Sequence, residues 1–147
     1  MNLFRFAVVL PSIFFLQCAN AAETALPPGV TLQTLDQIKF EKTASGRDFA
    51  FLLGNTNQAG PYLNLVKWSP NDKALPHKHP DSRYGVVLSG VHYIGYGDKF
   101  DESKLHKHTA GTFFTEPANT PHFGMTRNEG AILYFYGTGP SAVIPLE

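Results

Sequence analysis

Pro76-His77-Lys78-His79-Pro80 sets two histidines two residues apart, among neighbours rich in β-branched and aromatic residues. In a strand, residues i and i+2 face the same way, with Cα atoms roughly 6.5–7 Å apart. Two imidazoles so placed can close on one metal ion, because metal–nitrogen bonds are only about 2.0–2.1 Å long. His122 follows in a separate segment and can bring a third imidazole from another strand. Neutral imidazole suits Zn, Fe, Cu, Ni and Mn alike, so ligand type does not select the metal.

The elements that must carry these side chains read as β. Asp48 to Leu53 is a short apolar run ended by Gly54-Asn55, and Tyr62 to Trp68 alternates loosely. Ser69-Pro70-Asn71-Asp72 is a turn, since Pro fixes φ and Asn or Asp bonds its own backbone. Further strand signals are the His77–His79 stretch, Tyr84 to Leu88, a break at Ser89-Gly90, Val91 to Tyr96, Thr112 to Thr115, His122 to Thr126 and Ala131 to Tyr136. Asp98 to Leu105 reads as a loop or one helical turn. Thr31 to Phe40 fits an edge strand or a short helix equally. Short strands divided by Gly, Pro and Asn predict an antiparallel sandwich or barrel. Pro117, Asn119 and Pro121 predict a rigid turn before His122, with Asn119 able to take the left-handed backbone.

Of the 147 residues, 43% are hydrophobic and 13% aromatic, enough for one folded domain. Twelve basic residues balance twelve acidic ones, which argues against a nucleic-acid surface or a polybasic membrane patch. The start, Met1 to Arg5, is positively charged, Phe6 to Leu16 is apolar, and Ala19-Asn20-Ala21 offers small residues at the cleavage positions. That pattern predicts a secretory signal peptide over 1–21 and a secreted or periplasmic protein. The apolar run is too short for a membrane anchor and contains Pro11. Gln17 before Cys18 argues against a lipoprotein signal. Cleavage removes the one cysteine, leaving no disulfide and no thiolate ligand. The predicted organisation is a signal peptide at 1–21, an N-terminal extension at 22–45 containing Pro27-Pro28-Gly29, and the barrel at 46–147.

Two segments carry a resemblance. His77-x-His79 followed by Gly90 resembles the first motif of the cupins, and Gly111-x5-Pro117-x-Asn119-x2-His122 resembles the second, with Asn119 where that family usually has glycine. The match covers roughly residues 60–137. It implies an all-β, single-domain antiparallel jelly-roll barrel, with one divalent transition metal held inside one end by His77, His79 and His122. Cupins usually carry a glutamate four residues after the second histidine; here that place holds Arg83. Strand parity sets His77, His79, Asp81 and Arg83 on one face. Three readings follow: a bulge brings Asp81 or Ser82 to the metal, the site uses three histidines alone, or the metal is lost and Arg83 holds an anionic ligand. Thr126 stands where the family pattern often has asparagine.

His92 is expected to line the barrel, where with Asp81 and Arg83 it is a candidate ligand or substrate contact, or to face water, and His106-Lys107-His108, in a charged stretch, to face solvent. Two functions fit. The first is a metal-dependent enzyme, dioxygenase-like if the metal is redox-active, acting on a small molecule. The second is a non-catalytic module in which Arg83 anchors an anionic ligand. A transcriptional sensor is disfavoured by the signal peptide and the lack of a helical DNA-binding segment. Exposed edge strands leave pairing as a homodimer open.

Overall fold

The computed structural model describes residues 25–43 and 46–146; the predicted signal peptide, 1–21, lies outside them. The described residues from Thr34 onward belong to one compact unit and those from Ala25 to Gln33 to another. In the described part of the latter, Pro27-Pro28-Gly29 makes a turn closed by the Val30 N–H on the Pro27 carbonyl at 3.1 Å. Among the described residues no helix is long and apolar enough to cross a membrane.

Among the described residues of the second unit there are ten strands: β1 (Glu41–Lys42), β2 (Asp48–Leu53), β3 (Gly60–Trp68), β4 (Lys73–Lys78), β5 (Arg83–Tyr96), β6 (His106–Thr109), β7 (Phe113–Glu116), β8 (His122–Met125), β9 (Ala131–Gly139) and β10 (Ile144–Pro145). All the pairings are antiparallel. One sheet runs β1-β2-β3-β9-β5-β7; the other runs β10-β4-β8-β5-β6. Strand β5 serves both. Its first half pairs with β9 and β7 and its second half with β8 and β6. The predicted break at Ser89-Gly90 is therefore a bend within one strand, where Gly90 takes φ 73° next to a register shift between Val87 and Ser89. A bulge beside a glycine is the usual way a strand turns from one sheet into the next.

The core lies between the sheets: Val66, Trp68, Val87, Phe114, Leu133 and Phe135 from the first, Ala74 and Ile94 from the second. Alternation within each strand does the sorting; β9 reads buried at Ala131, Leu133 and Phe135 and outward at Ile132, Tyr134 and Tyr136. Gly85 lets the Phe114 ring cross its strand, since a Cβ there would meet that ring at 2.3 Å. This is the antiparallel jelly roll that the motifs implied. Asp98–Leu105 contains one 3-10 turn, Glu102–Lys104, capped by the Asp101 carboxylate on the Ser103 N–H at 2.9 Å. The stretch after it, whose histidines were expected to face solvent, forms β6. Its His106 is exposed, but His108 is half-buried with its ring 5.2 Å from Phe114.

Candidate metal centre

Three histidines meet at one end of the barrel. His77 lies near the end of β4 and pairs directly with His122, the first residue of β8. His79 follows β4 by one residue, and the donor nitrogens of all three lie within 4.8 Å of one another. Each ring is held from behind by a backbone carbonyl: His77 Nδ1 donates to Leu75 O at 2.8 Å, His79 Nδ1 to Ala142 O at 2.7 Å, and His122 Nδ1 to Thr120 O at 2.9 Å. A carbonyl only accepts, so Nδ1 carries the proton and Nε2 presents its lone pair. Metal-bound histidines are fixed in this way, with the second nitrogen donating to a backbone or carboxylate partner. The Nε2 atoms of His79 and His122 are buried and have no hydrogen-bond partner. A buried acceptor left unsatisfied costs about 1–3 kcal/mol, and a metal ion would satisfy both.

The turn ahead of His122 is tied to the turn after β4. Asn119 has φ 57°, the left-handed conformation expected of it, and its N–H donates to His79 O at 2.7 Å. The Ala118 N–H donates to Ser82 Oγ at 3.0 Å. These bonds fix the spacing of His79 and His122, although the two belong to different elements. Ser82 is thus occupied with a backbone group. Asp81 turns to Tyr62, whose hydroxyl donates to Oδ2 at 2.7 Å. Burial, followed by that carboxylate, pushes the Tyr62 hydroxyl up to about 12.

A carboxylate does reach the three histidines, and it comes from β7. Glu116 is 4% exposed, and its Oε2 lies 3.5 Å from His122 Nε2 and 4.0 Å from His79 Nε2. Donor atoms around a tetrahedral ion with 2.0–2.1 Å bonds stand about 3.4 Å apart, so the spacing of Glu116 from His122 would suit a fourth donor if the histidines held an ion. Arg83 is its direct partner across the β5–β7 ladder. Arg83 Nε donates to Glu116 Oε2 at 2.7 Å, Nη2 reaches the same oxygen, and the guanidinium sits 4.4 Å from the Phe135 ring centre. Burial, the largest single influence, would raise the Glu116 carboxyl, but Arg83 foremost, together with His122 and His79, holds the group below the usual carboxylate range. Glu116 was not found from the sequence, where the carboxylate was sought four residues beyond His79. The alternation Phe114-Thr115-Glu116, with Phe114 inward, is the signal that points to it.

Burial chiefly, with Arg83 second, lowers His79 to about 3, and burial lowers His77 as well. Both stay neutral and ready to bind a metal at ordinary pH. His92 stands deeper in the barrel, 2% exposed, its ring 4.7 Å from Trp68. It shares the cavity of the three histidines, Arg83 and Glu116 without joining their cluster. Thr126 is fully buried and works on the backbone, donating to Ser69 O at 2.6 Å and accepting the Asp72 N–H at 3.0 Å.

Comparison with solved structures bears on the fold. A polyketide cyclase, RemF, from Streptomyces resistomycificus is similar with TM-score 0.64 at 17% identity, over 80% of this chain and 86% of its own. An RmlC-like cupin from Shewanella frigidimarina gives 0.58 at 19%, over 72% and 87%. The DMSP lyase DddQ from Ruegeria pomeroyi gives 0.59 at 14%, over 74% and 60%. Comparison with the curated proteins finds no match. Residues 28–142 match the family described as the ChrR cupin-like domain. With that match spanning most of its length, the chain belongs to the ChrR cupin-like family of the cupin superfamily.

Proposed function

We propose that this cupin is an exported metalloprotein in which His77, His79 and His122 hold one divalent transition ion, with Glu116 beside it, and that the centre works on a small molecule. One observation carries the reading: three imidazoles, each fixed by a carbonyl at Nδ1, aim their Nε2 atoms at a common point, two of them buried without a partner. Such an ion supplies a Lewis acid with positions open to water or a substrate oxygen. Arg83 holds Glu116 ionised, and the apolar walls limit the water that reaches the centre. The cyclase and lyase among its structural relatives agree with enzymatic use of the fold. Dioxygenase-like chemistry belongs to the reading only if the ion is redox-active. The metal-free alternative, with Arg83 anchoring an anion, is disfavoured because Nε and Nη2 of Arg83 are both engaged by Glu116. Export rests on the charged, apolar and small-residue pattern over 1–21.

The test is elemental analysis of the mature protein purified without added metal, beside His122→Ala. One transition ion per wild-type chain and a clear loss in the variant are expected. A wild type that holds no transition metal and gains no thermal stability from added Zn, Fe, Mn, Cu or Ni would overturn the reading.

A further inference from the structure

The three histidines line a partly open cavity of about 70 Å³ in the barrel, whose other walls, among them Val66, Ile94, Phe123 and Phe135, are apolar. Two polar side chains interrupt them. Trp68 Nε1 and both ring nitrogens of His92 are buried with no hydrogen-bond partner. The rings lie edge to face, with centroids 4.7 Å apart. Gly124 makes the seat for His92, since a Cβ there would stand 2.9 Å from Nε2. Buried polar groups are nearly always bonded to protein or to ordered solvent, and each exception calls for an explanation. The metal centre leaves this pair unexplained.

We infer that Trp68 and His92 form a second subsite, which binds the uncharged oxygen of a small ligand whose other end reaches the metal centre. The inference rests on the metal reading above. Indole N–H is a donor only, and neutral imidazole adds one donor and one acceptor. Together they suit a carbonyl or hydroxyl oxygen. A charged group would find no free counter-ion at that depth: the Arg47 guanidinium, 3.7 Å from the Trp68 ring centre, already grips both Asp72 oxygens at 2.8 and 2.9 Å. Size narrows the choice further. A cavity of about 150 Å³ takes up benzene, and this one has less than half that volume. Three or so non-hydrogen atoms fit in it, the far oxygen and two carbons, with the third carbon and its carboxylate oxygens at the open end by the histidines. The ligand class is therefore a short-chain hydroxy or oxo carboxylic acid, its carboxylate toward the cation and its far oxygen on Trp68 and His92.

Trp68 is the one tryptophan of the chain, so its indole N–H gives a single diagnostic resonance. The experiment compares 3-hydroxypropionate with propionate, which lacks the far oxygen, on zinc-loaded protein by calorimetry and by the indole ¹H–¹⁵N signal. Wild type is expected to prefer the hydroxylated probe about tenfold, the worth of one such hydrogen bond, with a displaced indole signal. His92→Phe and Trp68→Phe are expected to retain one zinc per chain and lose the preference. Equal affinity for both probes, or a preference that survives both substitutions, overturns the subsite. If wild type takes up neither zinc nor any of the other ions tested above, the metal reading fails by itself. The subsite is then read on metal-free protein with 1-propanol, where an unmoved indole signal would mean that buried water alone satisfies the pair.

Discussion

At the scale of single residues, the Arg83–Glu116 pair decides how the centre is charged. Breaking a buried ion pair by removing one partner costs about 3–5 kcal/mol, whereas replacing both by apolar groups is often close to neutral. Glu116→Gln should therefore destabilise the fold and also weaken metal binding tenfold or more, the scale on which supporting groups act. Arg83→Met with Glu116→Leu should recover most of the stability and none of the metal affinity. Chemical denaturation and zinc titration separate the two effects. Recovery of both would reduce Glu116 to a structural partner of Arg83. A second prediction concerns protons. Burial holds His79 and His92 at about 3 in the folded protein, against about 6.5 when unfolded. Between those values the unfolded chain binds more protons, so stability is full above pH 6.5 and falls as pH drops toward 3. Each pH unit in that window costs about 1.4 kcal/mol per histidine. Thermal unfolding of metal-free protein from pH 7 to pH 4 should show the decline, and His92→Phe should flatten it. Parallel curves would mean that His92 titrates normally.

At the scale of elements, the site depends on two turns tied together. Asn119 at φ 57° sits where most side chains with a Cβ are strained by roughly 1–2 kcal/mol and asparagine is tolerated better than alanine. Asn119→Ala should lose about that much stability, with some metal affinity because His122 follows the turn, while Asn119→Gly should lose little of either. Equal losses in Ala and Gly would show that the asparagine side chain, not the backbone, is what matters. The same scale explains what could be read in the sequence. The β2 bounds agree with the apolar run Asp48–Leu53, because apolar runs and breakers report burial directly. The histidine triad was legible because i, i+2 spacing and a Pro-framed turn are local signals. Glu116 was not, because its approach to His122 is made across strands and no local spacing encodes it. Strand β6 was missed for a related reason: His106, Lys107 and Thr109 are exposed on an edge, and an edge strand needs no apolar face to pair through its backbone. Gly90 ended a strand in the sequence reading and bends one in the fold. A glycine permits both, and only the sheet partners choose.

At the scale of the whole molecule, the outer face of the first sheet carries more apolar surface than a soluble monomer needs. Register lines up Leu53, Leu63, Tyr136 and Tyr84 in one row across β2, β3, β9 and β5, and Tyr134, Val86 and Phe113 in the next. Leu53, Tyr84, Phe113 and Tyr136 are 53%, 47%, 62% and 40% exposed. With a large side chain taken as 150–250 Å², these four alone present roughly 400 Å². The half-buried Leu63, Val86 and Tyr134 extend the patch toward the ~800 Å² per partner of a standard interface. A second copy is the expected occupant, because a flat face can meet itself about a twofold axis, the commonest arrangement of soluble oligomers. Sedimentation of the mature protein should show a dimer, and Phe113→Glu with Tyr136→Lys should give a monomer that still binds one zinc per chain, since both side chains point away from the cavity. A wild type that stays monomeric across the concentration series would overturn the dimer and leave the patch to another protein. A dimer that survives both substitutions would place the interface on another face.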